Sequence, residues 1–175
     1  MKKRQTFKSL GVALGCAVLV LFAIAAVDPP RTIPSDGTFG TTFKLIPTAT
    51  PGVFDNPIEG VGDVRWLGPC TIVIAQTADF RTDPPTLISD WVLTFLNGDQ
   101  LKVSSLGTGT PYQTDPTFFK LSGEGNITGG TGRFANATGV LRFPGVAHID
   151  TAPGVFPAEG HGAFALEGSV RLSKD

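Results

Sequence analysis

From residue 38 to residue 172 apolar side chains recur at every second position, and no stretch there follows the helical period of 3.6. Residues 38–47 put Phe39, Thr41, Phe43 and Leu45 on one face. Residues 58–66 alternate Ile58, Gly60, Gly62, Val64 and Trp66. Residues 70–78 are β-branched through Ile72, Val73 and Ile74. Trp91, Leu93 and Phe95 share a face within residues 86–96. Asn97-Gly98 then signals a hairpin into residues 99–106, because both residues tolerate positive φ. Three further runs follow at residues 117–127, 138–150 and 160–172, making eight predicted strands. Pro- and Gly-rich stretches at 48–57, 81–85 and 107–116 read as loops.

Eight antiparallel strands with one apolar and one mixed face must sandwich or close on themselves. Glycines two apart within strands, at 60/62, 123/125 and 160/162, favour closure, because they permit bends where a side chain would clash. The expected fold is therefore all-β, an eight-stranded antiparallel β-barrel over residues 38–172. Such a barrel has room for packed side chains or one small ligand.

The N-terminal segment reads as an address. Lys2, Lys3, Arg4 and Lys8 precede an uncharged run from Leu10 to Val27, and Ala23-Ile24-Ala25 supplies small residues for cleavage. We expect a signal peptide over residues 1–25, a linker over 26–37, and export to the periplasm or the medium. The apolar run approaches the roughly 17–25 residues that span a bilayer, so an uncleaved anchor over residues 10–27 is the alternative. Losing residues 1–25 removes four cations and no acid, so the formal charge goes from −1 to −5. That balance argues against nucleic acid and anionic membranes as partners. One tyrosine and glycine-broken apolar faces argue against membrane insertion of the mature barrel. Cys70 is then the single cysteine left, so no internal disulfide can form, and it reads as a small buried hydrophobe. Nothing in the sequence sets an oligomeric state.

The most specific motif is Ile127-Thr128-Gly129-Gly130-Thr131-Gly132-Arg133-Phe134-Ala135-Asn136-Ala137-Thr138-Gly139. It resembles the glycine-turn segment of allene oxide cyclases, and more closely that of exported bacterial proteins of the allene oxide cyclase barrel-like group; dirigent proteins carry a looser version. Asn97-Gly98-Asp99 and Trp66-Leu67-Gly68 have counterparts in the bacterial group. The resemblance implies an eight-stranded antiparallel barrel in which a strand ends in the glycine turn, a one-turn helix follows, and the next strand begins. It also implies cyclase or isomerase chemistry by confinement, although no functional residue of the family maps onto a position here. The physical reading of the motif is structural. Gly129, Gly130 and Gly132 take backbone conformations other residues resist, Phe134 plugs the barrel end over Ala135 and Ala137, and Arg133 caps carbonyls or faces solvent. A phosphate-cradling loop would need a lysine or a long following helix, and the motif has neither.

Trp66, Trp91 and Phe95 are the candidate lumen wall, with Arg65 and His148 as polar candidates for ligand contact. No catalytic residue is assigned, since Gly-x-Ser-x-Gly, His-Glu-x-x-His and Cys-x-x-Cys are all absent. No cofactor and no metal is expected. His148 and Asp150 share a strand face, however, and if the last two strands pair, His161 approaches them, with Glu159 or Asp150 completing a metal-type set. The expected function is non-catalytic binding of a small apolar molecule in the lumen. The alternatives are a cyclase or isomerase using Asp63, Arg65 or His148 turned inward, and a purely structural envelope protein.

Overall fold

The computed structural model describes residues 31–173. The expected signal over residues 1–25 and the alternative anchor over 10–27 lie outside the described residues. Ten strands follow in order: β1 (Arg31–Pro34), β2 (Gly37–Pro47), β3 (Val53–Val64), β4 (Gly68–Asp79), β5 (Thr86–Phe95), β6 (Gln100–Pro111), β7 (Phe118–Gly130), β8 (Thr138–Arg142), β9 (Gly145–Ile149) and β10 (Ala158–Leu172). A one-turn 3₁₀ helix, Gly132–Phe134, separates β7 from β8. There is no α-helix among the described residues, and none of their helices is long and apolar enough to cross a membrane.

All neighbouring strands are antiparallel, and the sheet closes into a ring of eight positions. Ten strands fill eight positions because two are interrupted. β8 and β9 pair with β10 in a common register and are broken at Phe143-Pro144, where proline has no N–H for the ladder. The Ala165 N–H still reaches the Pro144 carbonyl at 2.9 Å. β1 likewise continues β2 against β10, with Ser35-Asp36 between them. Residues 31–34 are thus strand where a linker was expected. The physical reason is the length of β10, which outlasts β2 and would otherwise leave its last rung unpaired. Other boundaries shift outward for the same reason: β3 begins at Val53 and β6 runs to Pro111, both inside stretches expected to be loop.

Phenylalanine rings fill the interior by lying on glycines of the wall. Phe39 lies on Gly62, Phe43 on Gly160, and Phe143 on the paired Gly107 and Gly123. A Cβ at Gly123 would meet the Phe143 ring and stand 2.7 Å from the Gly107 Cα. One glycine of each spaced pair, Gly62, Gly123 and Gly160, therefore receives a ring, while Gly60, Gly125 and Gly162 lie close to neighbouring strands.

One end of the ring is plugged. Phe134, fully buried, packs on Phe95 with ring centroids 5.1 Å apart, over buried Ala137. Ala135, expected beneath Phe134, is exposed instead. The glycine motif docks on the β5–β6 hairpin: the Thr131 N–H donates to the Gln100 carbonyl at 2.8 Å, and the Gln100 N–H to Thr131 Oγ1 at 3.0 Å. Gly132, at φ +54°, leaves no space for a Cβ beside Asp99. Arg133 closes the junction, donating to the Leu67 carbonyl at 3.1 Å and lying 3.4 Å from Asp99. In the hairpin itself only Gly98 is left-handed, so the loop is wider than the two-residue turn that Asn-Gly favours.

Two measurements check this packing. Gly123→Ala is expected to lower stability by about 1–3 kcal/mol in a denaturant titration. Combined with Phe143→Leu, it should cost less than the sum of the two single changes; strict additivity would show that the ring and the glycine are not in contact. Cys70 is buried at the plugged end, and its pKa is raised to about 11 by burial and then by Asp63. A rise of about two units leaves roughly a hundredfold less thiolate at pH 8, so a disulfide reagent should label the native protein at least that much more slowly than the unfolded chain. The unfolded chain ionises first, so this contribution to stability is complete below pH 9 and is lost as pH rises towards 11.

Candidate functional site

At the end opposite the plug the interior is not filled. An apolar cavity of about 80 Å³ lies among Phe43, Ile74, Leu87, Trp91, Phe143 and Phe164. Its mouth is edged with aromatic rings. Phe80 packs edge-on against Phe54 and Phe119, at 5.4 and 6.0 Å, and Phe156 of the β9–β10 loop lies 5.0 Å from Phe54.

A polar rung crosses the cavity wall. Asn56, Gln76, Ser89 and Ser105 are paired residues on four successive strands, β3 to β6, and all point inward. The Asn56 amide donates to Gln76 Oε1 at 2.7 Å, and Gln76 Nε2 donates to Ser89 Oγ at 3.0 Å. The chain of bonds leaves Asn56 Oδ1 without a partner, and Trp91 Nε1, one level below, has none either. Asn56 is 6% exposed and Trp91 3%, and both line the cavity. A buried polar atom left unpaired costs about 1–3 kcal/mol, so the wall holds one acceptor and one donor that a bound group would satisfy.

The cavity lining contains no ionisable side chain. Its walls can hold and orient an apolar molecule, but they offer no proton donor or acceptor stronger than an amide, an indole or a hydroxyl.

The residues expected to line the lumen divide. Trp91 does so, with Phe143 edge-on at 4.8 Å. Phe95 is interior but belongs to the plugged end. Trp66 is outside: it sits in the β3–β4 turn at φ 68° and is 69% exposed, with Arg65 5.2 Å from its ring. The alternation that placed it inward ends at Val64, where the chain leaves the sheet. Arg65 and Asp63 are exposed as well. His148 stands on the outer face of β9, between Ala147 and Ile149, which line the cavity. Gly129, Gly130, Gly132 and Phe134 hold the plug and take no part in the cavity.

Asn56 and Gln76 were missed by sequence reasoning. Asn56 fell in a stretch read as loop. Gln76 carried a readable signal, a polar residue in step with Ile72, Ile74 and Ala78 on an otherwise apolar face. No protein-family model, no curated protein and no solved structure matches the chain.

The rung predicts its own defect. Gln76→Ala should lower stability by about 1–3 kcal/mol in denaturant titration, because it strands the Asn56 amide as well as the bond to Ser89. Thr77→Ala, one position along the same strand, serves as the control and should cost less.

Proposed function

We propose that the chain is an exported β-barrel of the allene oxide cyclase-like kind that binds a small apolar molecule carrying a hydrogen-bonding group. The closed ring of eight strand positions supports the barrel reading. The order of β7, glycine turn, one-turn helix and β8 supports the resemblance. The basic and apolar N-terminal segment supports export.

One observation carries the binding reading: two buried polar atoms without partners, Asn56 Oδ1 and Trp91 Nε1, on the wall of an apolar cavity. A core built only to be filled has no use for them, whereas a ligand with a hydroxyl or amide recovers their cost. The enclosed space of about 80 Å³ is short of the roughly 300 Å³ at the lower end of ligand pockets. The occupant therefore places a short apolar end and its polar group inside, and the rest of its body lies between the mouth phenylalanines.

Catalysis by confinement has less support. Its candidate acid–base groups, Asp63, Arg65 and His148, stand outside the cavity, and the lining has no ionisable group.

The test uses a matched pair of probes, 1-hexanol and 1-hexanethiol, which differ mainly in hydrogen-bonding power. Hexanol should bind about tenfold more tightly, the worth of one good hydrogen bond, and should move the assigned Trp91 indole N–H resonance. Equal binding of both probes, or no movement with either, overturns the reading. Ala147→Leu fills the cavity from β9; it should abolish hexanol binding and raise the stability of the unliganded protein by about 1 kcal/mol. Native mass spectrometry of protein from its own host should show an extra mass that is lost on denaturation.

A further inference from the structure

On the outer face of the ring, behind the cavity wall, the last two strands bring three potential metal ligands together. His148 of β9 and His161 of β10 are directly paired across the ladder. Asp150, two residues beyond His148, lies between the two imidazoles. His148 Nδ1 is 2.8 Å from Asp150 Oδ1, and His161 Nδ1 is 2.9 Å from Asp150 Oδ2. The three donor atoms all lie within 4.8 Å of one another. We propose that His148, Asp150 and His161 form a binding site for a divalent late first-row transition metal, of the zinc and nickel class.

The donor chemistry favours this class. Two imidazole nitrogens and one carboxylate oxygen suit zinc, nickel and copper, whereas magnesium and calcium prefer all-oxygen shells. Bonds of about 2.0–2.2 Å set donors roughly 3–3.5 Å apart around the ion, so the widest gap must close by somewhat over an ångström. The side chains can supply that by rotation, because the His161 side chain is 61% exposed, that of Asp150 about half and that of His148 about a quarter.

The backbone and its surroundings organise the site in advance. The antiparallel ladder sets the spacing of the two histidines. Phe118 of β7, the neighbour of His148 on the other side, stacks on its ring at 4.1 Å and fixes the imidazole plane. The adjoining outer groove adds Glu59 and Glu159 to Asp150, and its one lysine, Lys44, is tied to Glu159 at 3.1 Å. On the other side Asp115 faces His148. This surplus of carboxylates draws cations to the cluster.

Binding exchanges two hydrogen bonds for three coordinate bonds. Both imidazoles now present Nδ1–H to a carboxylate that can only accept. On capture the ion takes Nδ1, and each ring carries its proton on Nε2. Three protein ligands leave at least one coordination position for water or an external anion, so the site is open.

The experiment is calorimetric titration of tag-free full-length protein with Zn²⁺ and Ni²⁺, with Mg²⁺ as the control. One equivalent of Zn²⁺ or Ni²⁺ should bind, and Mg²⁺ should not. Loss of an outer-shell partner alone typically costs 10–100-fold in metal affinity, so His161→Ala, His148→Ala and Asp150→Asn should each weaken binding by at least about tenfold. Co²⁺ serves as a spectroscopic stand-in, and its visible d–d bands should appear with the wild type and fade in the variants. Circular dichroism of His161→Ala, the most exposed of the three, shows whether the fold is kept. No uptake by the wild type, or uptake by His161→Ala and His148→Ala equal to that of the wild type, overturns the proposal and leaves a hydrogen-bonded cluster only.

Discussion

Closing a sheet of eight strands removes its edges and creates an interior that only inward-pointing side chains can fill. Everything else in this molecule follows from how that interior is filled. The chain uses phenylalanine against glycine: Phe39 on Gly62, Phe43 on Gly160, Phe143 on Gly107 and Gly123. Each of these three rings takes a wall position with no side chain, so there the two residue types are used together. These pairs draw on a chain of 22 glycines and 13 phenylalanines, whose single tyrosine, Tyr112, is exposed; a buried phenol would bring a hydroxyl needing a partner.

The filling is not uniform along the axis. Asn56, Gln76, Ser89 and Ser105 run as a rung across four strands, and the buried apolar residues divide about it. Ile74, Trp91 and Val103 belong to the larger cluster, which extends to the plug at Phe134. Ala78 and Leu87 belong to the smaller one at the open end. Polar groups in an apolar interior are stable only when hydrogen-bonded, and the rung meets that need for all but one of its amide atoms. The cavity opens beside it because small residues, Ala78, Gly109 and Ala147, line the wall at that end.

Much of this was legible in the sequence, and the failures share a cause. Alternation of period two reports which face a residue takes, and it put six of the eight ring positions close to their observed bounds, β3 and β6 each running further into expected loop. It also put His148 and Asp150 on one face and brought His161 to them only if the last two strands paired, a condition the β9–β10 ladder meets. Alternation says nothing of height along the axis. Trp91 and Phe95 share a face, yet one lines the cavity and the other packs on the plug. Nor does it mark where a strand stops: Trp66 keeps the period of Val64 but falls in the turn, where φ is 68° and the side chain swings outward. Asn56 was lost the other way, because prolines at 51 and 57 made a paired strand look like loop.

The same parity separates the molecule's chemistry. On β9, Ala147 and Ile149 face the cavity while His148 between them faces out; on β10, Gly162 lines the cavity and His161 beside it is exposed. The apolar wall and the His–Asp–His cluster are thus two sides of the same pair of strands, one backbone thickness apart. Successive side chains on a strand point to opposite faces, so no rotamer can carry either histidine into the cavity. An occupant of the cavity and an ion at the cluster would not touch each other. They would share only the β9–β10 ladder, and whatever one does to the other must pass through its hydrogen bonds.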